Sequence, residues 1–259
     1  MCRWLNLPRS SYYYKTSEPV SEADLEEKVK QIFLESQSRY GARKIKQCLA
    51  TDGIILSRRR IRRIMKRLNL VSVYQQASFK PYAKGKNEAP IPNLLDRQFY
   101  QEKPLEVIVT DLTYVRVGQR WAYVCLIIDL FNREIIGVSV GWQKTAELVK
   151  QAIQSIPYAL TKVNLFHSDR GKEFDNQLID EVLEAFGITR SLSKAGCPYD
   201  NAVAESTYRS FKLEFVHQET FHSLKELTLK TKNYVHWWNH HRIHGSLNYQ
   251  TPIAKRVTA

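Results

Sequence analysis

The sequence predicts an α/β (α+β) fold: a mixed five-stranded sheet with helices on both faces, preceded by a small, basic, all-helical domain. Over residues 25–68, apolar side chains recur at helical spacing among many basic residues. From Leu105 onward, short apolar runs of strand length alternate with helical stretches. With 259 residues, of which 43% are hydrophobic and 25% charged, the chain has the composition of a globular protein with a sizeable core.

Positive charge is concentrated in the first hundred residues. The chain carries 39 Lys and Arg against 26 Asp and Glu, a net charge of +13. Residues 1–100 hold 20 of these basic residues and only 9 of the acidic ones, a net charge of +11. An excess of this size favours a polyanion as partner, most often a nucleic acid.

The basic helices, predicted as a domain over residues 1–70, have the outline of a helix-turn-helix unit. Apolar stripes indicate three helices, with a break at Tyr40-Gly41 and a turn at Asp52-Gly53 before a third helix capped by Ser57. The third helix carries six arginines around its apolar face: Arg58, Arg59, Arg60, Arg62, Arg63 and Arg67. A solvated basic hairpin is the plainer interpretation, but arginines with so little acid nearby favour DNA binding.

Proline and glycine interrupt the periodicity over residues 71–104, which are therefore predicted to form a linker. Beyond it, three strands with short connections predict an antiparallel meander that opens a sheet domain over residues 105–215. The predicted elements are strands Leu105–Leu112, Trp121–Asp129 and Glu134–Val140, a helix from about Thr145, strand Asn164–His167, helix Asn176–Phe186, strand Ile188–Ser191 and a helix carrying Glu205. Residues 216–259 are predicted to be a helical extension of this domain.

Three acidic residues are candidates for a shared site. Asp111 lies within the first predicted strand, Asp169 just after the fourth, and Glu205 on the helix after the fifth. A carboxylate in an otherwise apolar strand is unfavourable unless something pairs with it, and divalent metal is a common partner of converging carboxylates. Taken singly, each has a plainer interpretation, as a strand-end, turn or solvated helix residue. Asp129, at the end of the second predicted strand, is a competing acid.

The spacing of these acids and the motifs around them resemble a known family. With 57 residues between Asp111 and Asp169 and 35 between Asp169 and Glu205, the set resembles the acidic triad of retroviral integrases and DDE transposases. The surrounding segments resemble transposases of bacterial insertion sequences made from two overlapping reading frames: Thr110–Tyr114, Ile128–Glu134, His167–Gly171, Gly196–Glu205, and in the tail Trp238-Asn239, Arg242, His244, Leu247 and Thr251-Pro252. The resemblance is to the product of the second frame and covers nearly the whole chain, including the opening from Leu7.

The resemblance implies an RNase H-like integrase catalytic core and a polynucleotidyl transferase that cuts DNA and joins the cut strand to a target. It assigns Asp111, Asp169 and Glu205 to the catalytic site, where they would hold two divalent ions, Mg²⁺ or Mn²⁺. Asp129 lies outside this triad, so we expect it to have a structural or supporting role. The implied location is the bacterial cytoplasm, at the nucleoid.

The implied partners are DNA, as terminal repeats of the element and as target, further copies of the chain assembled on that DNA, and the protein of an upstream reading frame. A frameshift usually fuses the two frames into the active transposase, so activity is expected to depend on that fusion or on the separate partner. Two other functions stay open: a non-catalytic DNA-binding accessory or regulator of the longer transposase, and a metal-dependent nuclease of the same fold.

Several other polar residues near the predicted site invite interpretation. Arg209 and Lys212 follow Glu205 by four and seven residues on one helix face, where DNA contact is favoured over simple solvation. Asp200 is expected to cap that helix. The histidines near the end of the chain are interpreted as packing or phosphate contacts, because no cysteine or acid completes a zinc set: His236, His240, His241 and His244.

The sequence gives no sign of secretion or membrane insertion. The longest apolar run, Tyr123–Leu130, is far too short to span a bilayer, and the first residues lack the apolar core of a signal peptide. Four scattered cysteines form neither a disulfide framework nor a zinc site, and they fit a reducing compartment: Cys2, Cys48, Cys125 and Cys197.

Overall fold

The computed structural model of the chain describes residues 21–75 and 91–258. The chain divides into two compact units, Met1–Ser72 and Val73–Ala259. The opening motif from Leu7 and part of the predicted linker, residues 76–90, lie outside the described residues.

The described residues of the first unit, from residue 21 onward, form three helices: α1 (Glu22–Glu35), α2 (Ala42–Thr51) and α3 (Arg58–Arg67). Ser57 caps α3 as predicted, since its hydroxyl accepts the backbone N–H of Arg60 at 3.2 Å. Gly53, with φ +77°, turns the chain after α2 in a conformation that favours glycine. The buried side chains follow the predicted stripes: Leu25, Val29, Phe33, Ile45, Leu49, Ile61, Ile64 and Met65.

The second unit is built on a mixed five-stranded sheet in the order β3-β2-β1-β4-β5. Its strands are β1 (Val107–Val117), β2 (Arg120–Asp129), β3 (Ile135–Gly141), β4 (Leu165–Ser168) and β5 (Thr189–Leu192). Strands β1, β2 and β3 form the predicted antiparallel meander, whereas β4 runs parallel to both β1 and β5. The order of strands and helices along the chain agrees with the sequence prediction.

Helices cover both faces of this sheet. On one face, α4 (Ala146–Gln154) and α5 (Gln177–Ala185) bury apolar side chains against the core residues Ile108 and Ile127. On the other, α6 (Ala202–Glu214) and α7 (Leu224–His240) pack on Val109 and Val124 through aromatic side chains. A short α8 (Pro252–Val257) follows near the end of the chain. No helix in the described part of the chain is long and apolar enough to cross a membrane.

Strand β1 is longer than predicted. The prediction ended it at Leu112, but the strand continues to Val117 and forms a hairpin with β2 through Gly118 and Gln119. The reason is that the alternation of a half-buried strand persists: Val115 and Val117 are buried, and Tyr114 and Arg116, which alternate with them, are exposed. Because β4 pairs with β1 only over Val107–Val109, the rest of β1 has no strand neighbour on that side among the described residues.

The second half of the predicted linker packs on the sheet. The Pro92 carbonyl accepts the backbone N–H of Leu192 at 3.3 Å, and the backbone N–H groups of Leu94 and Leu95 donate to the Ser191 hydroxyl. The Leu95 side chain is buried in the core beneath α6 and α7. These residues therefore act as part of the second unit.

The tail residues of the predicted family signature form a buried polar network at the end of α6. The Arg242 guanidinium donates to both carboxylate oxygens of Glu214, at 2.8 to 3.1 Å. The hydroxyls of Tyr74 and Tyr234 donate to the same carboxylate. His244 lies edge-on to the Trp238 ring, with 4.6 Å between ring centroids. The network fixes the C-terminal end of α6 to α7 and to the segment at Tyr74.

Candidate active site

Asp111 and Asp169 are brought side by side by the parallel pairing of β1 and β4. The last pair in the register joins Val109 to His167; two residues further on, Asp111 is still on β1 and Asp169 directly follows the last residue of β4. Equivalent positions on neighbouring parallel strands lie about 5 Å apart and face the same side of the sheet. The sequence spacing of 57 residues is thus converted by the sheet into a pair of adjacent carboxylates.

Helix α6 carries Glu205 in its first turn, and two hydrogen bonds tie this helix to the strand of Asp111. The Asn201 side-chain amide, just before α6, donates to the Thr110 carbonyl at 2.9 Å. One turn after Glu205, the buried Tyr208 hydroxyl donates to the Asp111 carbonyl and accepts the Leu126 backbone N–H. The same helix that presents Glu205 is therefore anchored at the backbone of Asp111.

The three predicted acids form a group of interacting like charges. Burial raises the pKa of Asp111 to about 7, and the charge of Asp169 is the next cause, with Glu205 and Glu173 acting in the same direction. Burial also raises the pKa of Asp169 and of Glu205. The geometry thus unites the three residues predicted from spacing and adds a fourth acid.

Glu173, which the sequence analysis missed, is buried beside Asp169. Its carboxylate accepts the Lys144 ammonium at 2.8 Å. Gly171 leaves room for it, because a Cβ at that position would overlap the Glu173 carboxylate. The pKa of Lys144 is raised although burial acts to lower it, because the charges of Glu173, Asp169 and Asp111 outweigh burial. The signal in the sequence was an acid four residues after Asp169, in the segment His-Ser-Asp-Arg-Gly-Lys-Glu.

The donor chemistry of this group fits a hard divalent cation, which takes carboxylate oxygens as ligands. In residues 21–75 and 91–258, no group of three or more His, Cys, Asp or Glu side chains is placed closely enough to hold a metal ion. The acids are therefore close enough to interact electrostatically without forming a finished set of three ligands.

Asp129 has a structural role. It is fully buried, and its carboxylate accepts the backbone N–H groups of Leu105 and Phe131, each at 3.0 Å. The Arg256 guanidinium donates to it at 2.7 Å and to Glu134 at 2.6 Å. Every oxygen of Asp129 is thus used within the fold, which agrees with the role expected for it.

Asp200 does not cap α6, and that prediction was wrong. It lies in a 3-10 turn, Pro198–Asn201, one residue before the N-cap position Asn201. Its carboxylate instead accepts the Arg97 guanidinium at 2.8 Å and the Lys194 backbone N–H at 2.9 Å. The physical reason is that an extra turn separates the loop from the helix, so Asp200 faces the loop and holds it closed.

The histidine of the His-Ser-Asp motif is buried and structural. The two ring nitrogens of His167 lie 2.8 Å from the Ser191 hydroxyl and 3.1 Å from the Ser193 hydroxyl. Burial lowers the pKa of His167 to about 4, so the ring is neutral at physiological pH. His167 therefore joins β4 to β5 directly before Asp169.

The cations predicted beside Glu205 are on the expected face of α6. Arg209 is exposed, and the Lys212 ammonium lies 4.7 Å from the centre of the Tyr114 ring. Neither forms an ion pair with any residue in the described part of the chain. The terminal histidines make ring contacts: His236 and His240 stack with 4.3 Å between ring centroids, and His244 packs on Trp238. In the described residues they belong to no group that could hold a metal ion.

The six arginines of α3 fall into two groups. Arg60 and Arg67 make ion pairs with Glu22 of α1, and Arg67 also pairs with Glu26. The prediction that α3 has almost no acidic partners was wrong for these two residues, because the acids at the start of α1 lie against them. The other four point to solvent without an ion pair in the described residues: Arg58, Arg59, Arg62 and Arg63.

Models of two kinds of protein family match the chain. A model described as integrase core domain matches residues 101–198, and a second model with that description matches residues 186–252. A model described as HTH-like domain matches residues 20–78. The first two cover the sheet and the acids, and the third covers α1 to α3.

Full-length relatives agree with these matches. InsK of Escherichia coli (strain K12), named as a transposase for insertion sequence element IS150, is 30% identical over 264 residues, which span 99% of this chain and 92% of InsK. A Shigella flexneri protein named for insertion sequence element IS1353 is 31% identical over 260 residues, 97% of this chain but 50% of that protein. The magnesium-bound catalytic core of the HTLV-2 integrase superposes with a TM-score of 0.47 at 15% identity, covering 59% of this chain and 97% of that core.

The expected fold is confirmed by the sheet order, the helices on both faces and the integrase core match, and the preceding helical unit by the HTH-like match. The expected family is confirmed by InsK, whose similarity extends over almost the entire length of both chains. This chain therefore belongs to the transposases of bacterial insertion sequences, with an RNase H-like integrase core preceded by an HTH-like unit.

Proposed function

We propose that Asp111, Asp169 and Glu205 hold divalent metal ions, and that the chain uses them to cut DNA at the ends of its element and join the cut strand to target DNA. The observation that carries this proposal is the electrostatic interaction of Asp111, on β1, with Asp169, just after β4, and with Glu205, on a helix tied to β1. Mutual repulsion between buried carboxylates is relieved when a divalent cation binds among them.

The metal, Mg²⁺ or Mn²⁺, would supply Lewis-acid stabilisation of charge on the reacting phosphodiester, and two ions are proposed. The protein supplies position. Tyr208 and Asn201 hold the Glu205 helix to the Asp111 strand, and Lys144 holds the Glu173 carboxylate beside Asp169. Positioning of this kind dominates phosphoryl transfer, in which little covalent chemistry is asked of the protein.

DNA affinity is assigned to two groups of cations. In the HTH-like unit, the four arginines without an ion pair, Arg58, Arg59, Arg62 and Arg63, are the proposed phosphate or base contacts. Arg60 and Arg67 are proposed to act there as well, with part of their positive charge neutralised by the Glu22 carboxylate. Arg209 and Lys212 are proposed to contact DNA next to the acids.

The proposed domain limits are residues 1–70 for the DNA-binding unit, 71–104 for the linker, 105–215 for the catalytic core and 216–259 for its helical extension.

The protein of an upstream reading frame is the further partner that we propose, either fused to this chain or as a separate protein. The relative from IS1353 supports this, since the region similar to this chain makes up only half of it. Further copies of the chain on the DNA are proposed as well, because cutting two element ends calls for two sets of acids.

The test is a strand-transfer assay with oligonucleotides that carry the terminal repeats of the element, with Mg²⁺ or Mn²⁺, using this chain alone and then the fused protein. Joined product supports the proposal, and joined product from the fusion alone assigns the missing part to the upstream frame. Cut product without joining identifies a nuclease. Binding without cutting, by chain and fusion alike, identifies an accessory protein and overturns the proposal.

A further inference from the structure

The hairpin of β1 and β2 carries two large aromatic side chains in solvent. The Tyr114 side chain is 56% exposed and that of Trp121 48% exposed, although both lie on regular strands. They project from the sheet face covered elsewhere by α4 and α5, at a point beyond the core that those helices form. Together with Arg116 and Lys212 they are called the hairpin platform below.

The hairpin platform alternates aromatic rings with cations. Tyr114 and Trp121 meet edge to face, with 5.1 Å between ring centroids. The Arg116 guanidinium lies 5.2 Å from the Trp121 ring, and the Lys212 ammonium 4.7 Å from the Tyr114 ring. Neither cation has an acidic partner in the described part of the chain, and the Arg116 side chain is further fixed by its bond to the Gly118 carbonyl at 3.0 Å. The rings thus hold positive charge in place for a partner outside the unit.

The platform is adjacent to the acids. Tyr114 follows Asp111 by three residues on β1, roughly 10 Å along the strand, so its side chain leaves the opposite face of the sheet. Lys212 lies two turns after Glu205 on α6, with Arg209 between them on the same helix face. The free edge of β1 beyond Val109 lets the Lys212 side chain reach Tyr114, which joins the helix stripe to the hairpin. Lys212 therefore connects the helix that carries Glu205 to the hairpin platform around the edge of β1.

Exposed aromatic rings beside unpaired cations match one kind of partner in particular. Single-stranded nucleic acid offers base faces for stacking on the rings and phosphates for the cations, whereas the bases of a duplex are already stacked on each other. A second copy of this chain would bury the rings but would have to supply acids for Arg116 and Lys212. The charge of the surface favours the nucleic acid.

We infer that the hairpin platform binds unpaired nucleotides of the DNA strand next to the bond that is cut, with their bases stacked on Trp121 and Tyr114. This inference rests on the proposed function, because it makes the platform part of the DNA path to Asp111 and Glu205. It assigns to this chain a specificity for frayed or single-stranded DNA flanks that the acids alone do not provide.

The test measures binding of the full chain, in EDTA, to two DNAs: a blunt duplex, and the same duplex with a short unpaired tail containing 2-aminopurine. The variants are Trp121→Ala, Tyr114→Ala and the ring-preserving Trp121→Phe. Tyr100→Ala is the matched control, since Tyr100 is 85% exposed and lies outside the platform. We expect both platform alanine variants to bind the tailed DNA about tenfold more weakly, the loss typical of one base–aromatic stack.

The expected pattern further includes blunt-duplex binding within about twofold of the original chain for every variant, and near-original tail binding by Trp121→Phe and Tyr100→Ala. Equal weakening on both DNAs, or no weakening on either, overturns the inference. A changed oligomeric state with unchanged DNA binding also overturns it, and makes the platform a contact between copies.

Two features keep this test separate from the proposed function. Without metal no strand is cut, so the result does not depend on catalysis, and a chain that binds neither DNA contradicts the proposed function instead. If Trp121→Ala fails to fold, Lys212→Gln and Arg116→Gln take its place. For each phosphate that a variant no longer binds, the slope of log affinity for the tailed DNA against log salt concentration must become shallower by about one unit. An unchanged slope overturns the inference.

Discussion

Two groups of carboxylates lie at the central sheet, and they differ in how their charge is neutralised. Asp129 and Glu134 share the Arg256 guanidinium, and Tyr158 and Asn132 also donate to Glu134. The other group comprises Asp111, Asp169, Glu205 and Glu173. In the described part of the chain it has one ion pair, between Lys144 and Glu173.

The difference separates acids that build the fold from acids that we propose to bind a metal ion. A buried charge with a complete set of donors contributes to a defined native state, and removing its partner is costly. A buried group of like charges with one cation is unfavourable until a counter-ion arrives. Asp129 and Glu134 are also more deeply buried than Asp111, Asp169 and Glu205, so both burial and the number of donors distinguish the two groups.

The sharpest test of this contrast exchanges one charge in each group. Asp111→Asn keeps the shape of the side chain but removes a proposed metal ligand, so strand cutting and joining should fall at least about a thousandfold. Binding of terminal-repeat DNA should stay within about twofold, because phosphate contacts supply most of that affinity. Gel assays of cleavage and binding with the same protein preparation measure both.

Asp169→Asn and Glu205→Gln should behave in the same way as Asp111→Asn. Substantial Mg²⁺-dependent cleavage by any one of the three would remove that residue from the site. Glu173→Gln is the informative neighbour: a loss as large as that of Asp111→Asn would place Glu173 among the ligands and revise the proposed set.

The second test is the matched change in the other group. Asp129→Asn removes one of the two carboxylates that share the Arg256 guanidinium and weakens the acceptor of two backbone N–H groups, so the free energy of unfolding should fall by about 3 kcal/mol. Asp111→Asn should leave the stability of the metal-free protein unchanged or increase it, because one of several like charges is removed. Urea unfolding followed by tryptophan fluorescence compares the two variants. Equal destabilisation would show that the two groups do not differ in the way described.

The third test adds the counter-ion. A divalent cation at one hundred times its dissociation constant should stabilise the original chain by about 2.7 kcal/mol, because it binds the folded state alone. The same gain is expected for Asp129→Asn, whose defect lies elsewhere, and none for Asp111→Asn. Thermal unfolding with Mg²⁺, Mn²⁺ or Ca²⁺ measures the shift. A gain in Asp111→Asn equal to the original would mean that the cation binds outside the proposed site.

The sequence singled out three acids as a set, and their role as the catalytic site stays a prediction. Asp111, Asp169 and Glu205 were recognised by their spacing, and the alternation of apolar runs was sufficient to order the strands and helices. The extension of β1 to Val117 was missed because its exposed residues include Tyr114, whose ring suggests burial. Local periodicity reports which face of a strand is covered and not how far a neighbouring helix extends.

Long-range pairing explains what the sequence did not reveal. The pairing of Arg67 with Glu22 and of Arg256 with Asp129 joins residues far apart in the chain, so charge counts over a local stretch overstated the free charge of α3. Lys144 and Glu173 were missed for the same reason. The role of Asp200 was mistaken because one additional 3-10 turn, which has no periodic signal of its own, displaced it from the cap of α6.

The smallest expected effect concerns how the acids are held in register. The Tyr208 hydroxyl bridges the Asp111 carbonyl and the Leu126 backbone N–H, so Tyr208→Phe leaves that buried N–H without this acceptor and should lower stability by about 1 kcal/mol. Because the variant also frees Glu205 to shift relative to Asp111, cleavage should fall about tenfold and the metal concentration for half-maximal rate should rise.

Tyr234→Phe is the matched control, since it removes another buried hydroxyl, which donates to Glu214, with a similar loss of stability. Cleavage and its metal dependence should be unchanged in that control. If both variants lose activity in proportion to stability, Tyr208 supports the fold only, and the group of unsatisfied acids is positioned by the sheet alone.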